Sequence, residues 1–196
     1  AFLLFVLAIG VISLVVKPNR EQPKDIYRKM IVFMCDFLNG FYRLRYDIRG
    51  LEKIPTDKTF LLVSNHQSNI DPIAMVWAFR EHHITFIMKD ALMKLPLIGR
   101  WLYGSGFFPL NRKNDRKAAE TIVHASKRKL NKVHSVAAYP EGHRSKGPHM
   151  NDFRNGVFKI AYKAKSPIVI CAIDNSYKVK KRFPFKSTKI IIEVIK

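Results

Sequence analysis

The chain has 196 residues, 47% of them hydrophobic, which suits one domain with a sizeable core and excludes an extended disordered polymer. Thirty-five Lys and Arg against fifteen Asp and Glu give a net charge of +20, a surface that attracts phosphates, nucleic acid or an anionic membrane leaflet. Cys35 and Cys171 both sit in apolar runs and are too few for a disulfide framework or a metal centre, so a reducing compartment is the default and no metal is called for.

Residues 1–16 are apolar apart from Ser13. As a helix they span about 24 Å, slightly short of a hydrocarbon core of about 30 Å. Lys17, Arg20, Lys24, Arg28 and Lys29 follow, the charge pattern that stays on the cytoplasmic side. No small-residue cleavage site follows, which argues against a removable signal peptide. Over residues 26–44, Ile26, Met30, Phe33, Met34, Phe37, Leu38 and Phe41 recur at helical spacing. That stripe suits an amphipathic helix on a membrane surface and equally an ordinary core-facing helix. Pro18 and Pro23 separate the two stretches, so residues 1–45 read as a two-helix membrane anchor and residues 46–196 as the domain it carries. The chain starts without Met inside an apolar run and stops inside an apparent strand, so both ends read as internal points of a longer protein.

Beyond the anchor, strand-like runs occupy residues 59–64, 84–88, 107–110, 135–139, 167–173 and 189–195. Helical patterns occupy residues 73–80, 115–131 and 155–165. Short strands alternating with helices predict an α/β fold with a mixed, largely parallel sheet flanked by helices. In 115–131, Ala119, Ile122, Val123, Ser126 and Leu130 form the core-facing stripe.

Four patches could carry chemistry. Asn65-His66-Gln67-Ser68-Asn69-Ile70-Asp71 follows the strand run and precedes Pro72, so Asp71 is placed as a helix N-cap and His66 on the turn before it. On one helix the two would stand about 140° apart. On a turn they can converge. An imidazole takes a proton near neutral pH, and a carboxylate on its other nitrogen fixes the tautomer. No cysteine is adjacent, so His66 reads as a general base for a hydroxyl carried by the substrate. By itself the pattern is common, and an N-cap Asp beside a loop His is the bland alternative.

Residues 89–103 mix apolar and basic side chains, with Lys89 at their head, and could line an acyl channel or fold as two short packed helices. Gly106 to Arg112 is an apolar strand delivering a guanidinium that could clamp phosphate, or simply a surface Arg. Tyr139-Pro140-Glu141-Gly142-His143-Arg144-Ser145-Lys146-Gly147 has a glycine for a tight turn with exposed amides and two cations: an anion cradle, or a polar connection. Glu141 would orient a base or a substrate hydroxyl there.

In this order and spacing the patches resemble the glycerophospholipid acyltransferase family, in particular its bacterial 1-acylglycerol-3-phosphate acyltransferases. The first matches N-H-x-x-x-x-D. Gly106 to Arg112 is similar to G-x-x-F-I-x-R, with Pro109 and Leu110 in the F-I places. Tyr139 to Ser145 is similar to F-P-E-G-T-R-S, with His143 for Thr. Phe153-Arg154-Asn155-Gly156 resembles F-K-x-G, and Pro167 to Cys171 the late proline-plus-apolar strand.

The resemblance implies transfer of a fatty acyl group from a thioester to the sn-2 hydroxyl of lysophosphatidic acid, giving phosphatidic acid. It makes His66 the base and Asp71 its partner, and puts Lys89, Arg112, Glu141, Gly142, Arg144 and Lys146 at the acceptor. It implies no cofactor, acyl-carrier protein or coenzyme A as the thioester carrier, anionic lipid as surroundings, and the cytoplasmic face of the cell membrane. Glycerol-3-phosphate or another lysophospholipid is the nearest alternative acceptor. A thioesterase would not need the phosphate-clamp candidates. A membrane-attached nucleic-acid binder rests on the charge alone: the bases spread over several loops with no recognisable nucleic-acid motif, so no nucleic acid is expected.

Overall fold

Two short apolar runs, 61–64 and 135–138, become the centre of a seven-stranded sheet. The structure is a computed structural model that describes residues 10–11, 17–19, 22–111, 115–130 and 134–196. In chain order the elements are α1 (Asp25–Phe41), β1 (Leu44–Arg49), β2 (Leu61–Ser64), α2 (Asp71–Ala78), β3 (Ile84–Lys89), α3 (Ile98–Gly104) and β4 (Phe108–Leu110). Then come α4 (Asp115–Leu130), β5 (Ser135–Ala138), α5 (Lys159–Ala164), β6 (Ile168–Asp174), α6 (Val179–Arg182) and β7 (Thr188–Val194).

The sheet runs β1-β7-β6-β2-β5-β3-β4, and the order follows from the patterning. β2 and β5 are buried at every residue, as central parallel strands flanked by helices must be. β6 and β7 alternate, turning Val169, Cys171, Ile173, Ile190, Ile192 and Val194 inward. Every pairing is parallel except β6 with β7, where Cys171 faces Val194. The sheet is therefore mixed and largely parallel. Pro109 is tolerated because β4 is an edge strand, paired on one side only to Met88.

One face of the sheet packs against α1, α2 and α3, where Tyr27, Met30, Met75, Phe79 and Trp101 form the larger core. The other face carries α4 and α5 over Leu61, Val63, Phe108 and Val136. Of the expected α4 stripe, Ile122 and Ser126 turn inward, joined by Ala125, which the stripe did not include.

Two expectations change. Residues 42–49 were not read as structured beyond the helix, yet the helix stops at Phe41 and β1 begins at Leu44, across Arg43 at φ 55°. Leu44, Tyr46 and Ile48 alternate with Arg45, Asp47 and Arg49, a period of two that the long helical stripe overran. The helix expected over 155–165 divides into a 3-10 turn, Asn155–Phe158, and α5. Residues 89–103 follow the second of their two expected readings, a 3-10 turn, Asp90–Lys94, and α3. The first anchor helix, residues 1–16, lies outside the described residues except for Gly10 and Val11. Among the described residues no helix is long and apolar enough to cross a membrane.

The α1–α3 contact needs a residue without a side chain. A Cβ on Gly104 would stand 2.4 Å from Cδ2 of Tyr27, a ring with no exposed surface. Gly104→Ala should therefore destabilise the fold by about 1–3 kcal/mol, the usual cost of overpacking. Urea unfolding checks this, and adding Tyr27→Leu should recover part of the loss. Burial also pushes the Cys35 and Cys171 thiols up to about 12. Both stay protonated in mildly alkaline buffer, so iodoacetamide should label neither until the protein is unfolded.

Candidate active site

β2, β5, β3 and β4 are mutually parallel, and β6 runs with them, so their carboxyl ends share one edge of the sheet. Open α/β sheets bind ligands at such an edge. The chemistry-bearing residues read from the sequence leave from it. His66 follows β2, Lys89 ends β3, Asn111 follows β4, and the Tyr139–Lys146 turn follows β5.

His66 and Asp71 meet as expected: Nδ1 lies 2.7 Å from Oδ2. A carboxylate only accepts, so the neutral ring carries its proton on Nδ1 and leaves Nε2 to take another. Asp71 is not the helix N-cap, however. It is the first residue of α2, and its carboxylate turns back to accept the backbone N–H groups of Gln67 at 2.6 Å and Ser68 at 2.8 Å. Three donors thus converge on one oxygen of a side chain with no exposed surface. The histidine side chain is 12% exposed, within reach of the surface.

Of the two roles expected for Glu141, the structure gives it the orienting of the base and not of a substrate hydroxyl. It has no exposed surface, and both its oxygens are taken by protein donors. Oε1 accepts the His66 backbone N–H at 2.6 Å, and Oε2 accepts the backbone and side-chain N–H groups of Asn151, both at 2.8 Å. It holds the main chain of His66 rather than facing an acceptor. Three of the turn amides expected to form a cradle are taken by carbonyls. Gly142, at φ 72°, donates to the Tyr139 carbonyl, while Ser145 and Lys146 donate to the carbonyls of His66 and Gln67. The Gly142 bond closes the turn on itself, and the Ser145 and Lys146 bonds stitch it to the histidine loop.

Arg144 and Lys146 are the two cations of that turn. Both are exposed, and both line a groove of about 620 Å³ beside Ser68, Asn69 and Ile70. Lys89 is exposed but does not line that groove, since β3 is separated from β2 by β5. Arg112 lies outside the described residues.

Several site residues carried no role in the sequence reading. Tyr139 stacks on the His66 ring, centroids 4.1 Å apart and planes 13° from parallel. Burial, with the Asp71 carboxylate nearby, pushes its phenol well above the ordinary range, so it remains neutral. Its hydroxyl is buried without a partner. Asn65 and Gln67 alternate with His66 and reach the other way. Asn65 exchanges two hydrogen bonds with the Ile173 backbone, and Gln67 bonds Asp174 and Ser176. The period of two continuing past β2 was the available signal. Asn151, ten residues beyond Glu141, left none. Among the described residues no cluster of His, Cys, Asp and Glu could hold a metal ion.

A model of the Acyltransferase family matches residues 45–174. The chain is 29% identical over 158 residues to human 1-acyl-sn-glycerol-3-phosphate acyltransferase beta, covering 79% of this chain and 56% of that protein. It is 34% identical over 130 residues to chloroplastic 1-acyl-sn-glycerol-3-phosphate acyltransferase BAT2 of Brassica napus, covering 66% and 36%. With the 1-acyl-sn-glycerol-3-phosphate acyltransferase of Borreliella burgdorferi it shares 27% over 129 residues, covering 66% and 51%. It thus spans between about a third and three fifths of these relatives' lengths. The crystal structure of the lysophosphatidic acid acyltransferase PlsC from Thermotoga maritima superimposes with a TM-score of 0.74 at 24% identity, over 97% of this chain and 74% of that one. At that identity the likeness is one of fold.

The 2.7 Å contact predicts an imidazole locked as the Nδ1–H tautomer. Nitrogen NMR of the histidine ring should report that tautomer and a downfield, slowly exchanging Nδ1 proton. Both signatures should be lost in Asp71→Asn, whose amide can present a donor to Nδ1 instead.

Proposed function

We propose that this chain, which belongs to the Acyltransferase family, transfers a fatty acyl group from a thioester to the sn-2 hydroxyl of lysophosphatidic acid. The observation that carries the proposal is the His66–Asp71 pair: a histidine with Nδ1 held by a buried carboxylate, on a loop pinned from behind by a second one. The printed names of the relatives supply the substrate class.

In this reading Nε2 of His66 removes the proton from the acceptor hydroxyl as its oxygen attacks the thioester carbonyl. Asp71 stabilises the imidazolium that forms. The Tyr139 ring lies against the same imidazole, where its π face favours positive charge. Collapse of the tetrahedral intermediate breaks the carbon–sulfur bond, and the imidazolium returns its proton to the departing thiolate. The products are phosphatidic acid and the free thiol of acyl-carrier protein or coenzyme A. No metal or other cofactor takes part.

The acceptor phosphate falls to cations. Arg144 and Lys146 are placed beside the histidine loop to meet it, with Lys89 and Arg112 as further candidates and Gly142 shaping the turn. Membrane attachment, expected over residues 1–45, falls in this reading to the apolar segment ahead of α1, since α1 packs into the core and β1 crosses the 45/46 boundary. That segment holds the catalytic domain at the cytoplasmic face of the cell membrane.

The test is a purified-enzyme assay crossing acyl-carrier-protein and coenzyme A thioesters with lysophosphatidic acid, glycerol-3-phosphate and neutral lysolipids. His66→Ala should lower kcat by about 10²–10⁴-fold in a protein that still folds. Asp71→Asn should come close to it. Arg144→Ala and Arg112→Ala should raise KM for lysophosphatidic acid and leave the donor KM nearly unchanged. Near-normal turnover by folded His66→Ala would remove the mechanism.

A further inference from the structure

The connection between β6 and β7 reads Lys178-Val179-Lys180-Lys181-Arg182-Phe183-Pro184-Phe185-Lys186, and no acidic residue stands between Asp174 and Glu193. Lys180, Lys181, Arg182 and Lys186 are all exposed. Phe185, among them in the sequence, is 86% exposed. A phenylalanine so placed gains nothing from the fold.

Its backbone is nevertheless fixed. The Arg43 guanidinium donates to the carbonyls of Pro184 and Phe185, both at 3.2 Å, and Lys186 N–H donates to Arg182 at 2.8 Å. Phe183 turns inward and packs on Phe41 and Tyr42, with centroids 5.1 Å from each. The turn is therefore a rigid tip with one aromatic as its root and one projecting. Lys180, Lys181 and Phe183 also line the groove that Ser68, Arg144 and Lys146 line.

We infer that the Lys180–Lys186 turn is a second membrane-docking element, inserting Phe185 into an anionic bilayer and setting the groove mouth at the headgroups. Charge complementarity selects the occupant: four cations without a nearby acid match an anionic leaflet, and the projecting Phe185 matches its acyl region. An acidic protein or a nucleic acid would use the cations but offers no apolar depth for that ring. The inference deepens the lipid-substrate reading. Its readout is bilayer insertion rather than turnover, so either can fail alone.

Phe185→Trp in the full chain tests it, since an exposed position tolerates the change and keeps an aromatic tip. With phosphatidylglycerol-containing vesicles the introduced indole should shift to the blue, and brominated acyl chains should quench it beyond the wild-type signal of Trp77 and Trp101. K180Q/K181Q/R182Q should weaken partition at low salt by roughly fivefold for each charge removed. An introduced indole left unquenched in vesicle-bound protein would overturn the inference. So would an equal shift produced by acyl-carrier protein or an oligonucleotide in place of vesicles.

Discussion

One oxygen atom organises the site. Oδ2 of Asp71 accepts from the His66 ring and from the next two backbone amides, inside the protein. Burying a carboxylate is costly unless its charge is met by hydrogen bonds, and here three short ones meet it. The same bonds close the turn between β2 and α2, so the position of the base and the shape of the loop are one arrangement. Pro72 follows at the head of the helix, where its lack of an N–H does no harm. Glu141 completes the grip from the other side, on the main chain of the same histidine. Side chain and backbone of His66 are each fixed by a carboxylate with no exposed surface, in a chain whose net charge is +20.

The sheet explains why these parts meet. Parallel strands deliver their carboxyl ends to one edge, so a base after β2 and a basic turn after β5 become neighbours although far apart in sequence. The β5 turn then hydrogen-bonds to the histidine loop through Ser145 and Lys146, extending the strand alignment beyond the sheet. The amides of Ser145 and Lys146 are used in that joint.

Much of this was legible in the sequence, and the reasons are local. β2 and β5 are short and mostly apolar, so their type followed from composition, whereas their central place shows only in the sheet. His66 and Asp71 converge because Pro72 fixes where the helix begins. The errors share a different cause. Glu141 looks like a polar loop residue, and only the fold reveals that Asn151 and the His66 amide enclose it. Gly142 advertises a turn but not which carbonyl its N–H will meet. β1 has a clear alternation, yet it follows directly on a long helical stripe and pairs with a strand at the other end of the chain. Pairing at that distance leaves no trace in a local pattern.

That distant pairing also dictates an order of assembly. β1 touches the sheet only through β7, with Leu44 opposite Thr188 and Arg49 opposite Glu193. During synthesis β1 is among the first strands made and the last to find a neighbour. The five strands from β2 to β6 can align with one another before β7 exists, whereas β1 must wait beside them with its amides unpaired. Closing so long a loop is slow compared with local pairing. Throughout that interval the strand following α1 is an open edge, so α1 must hold its own place by packing on α2 and α3.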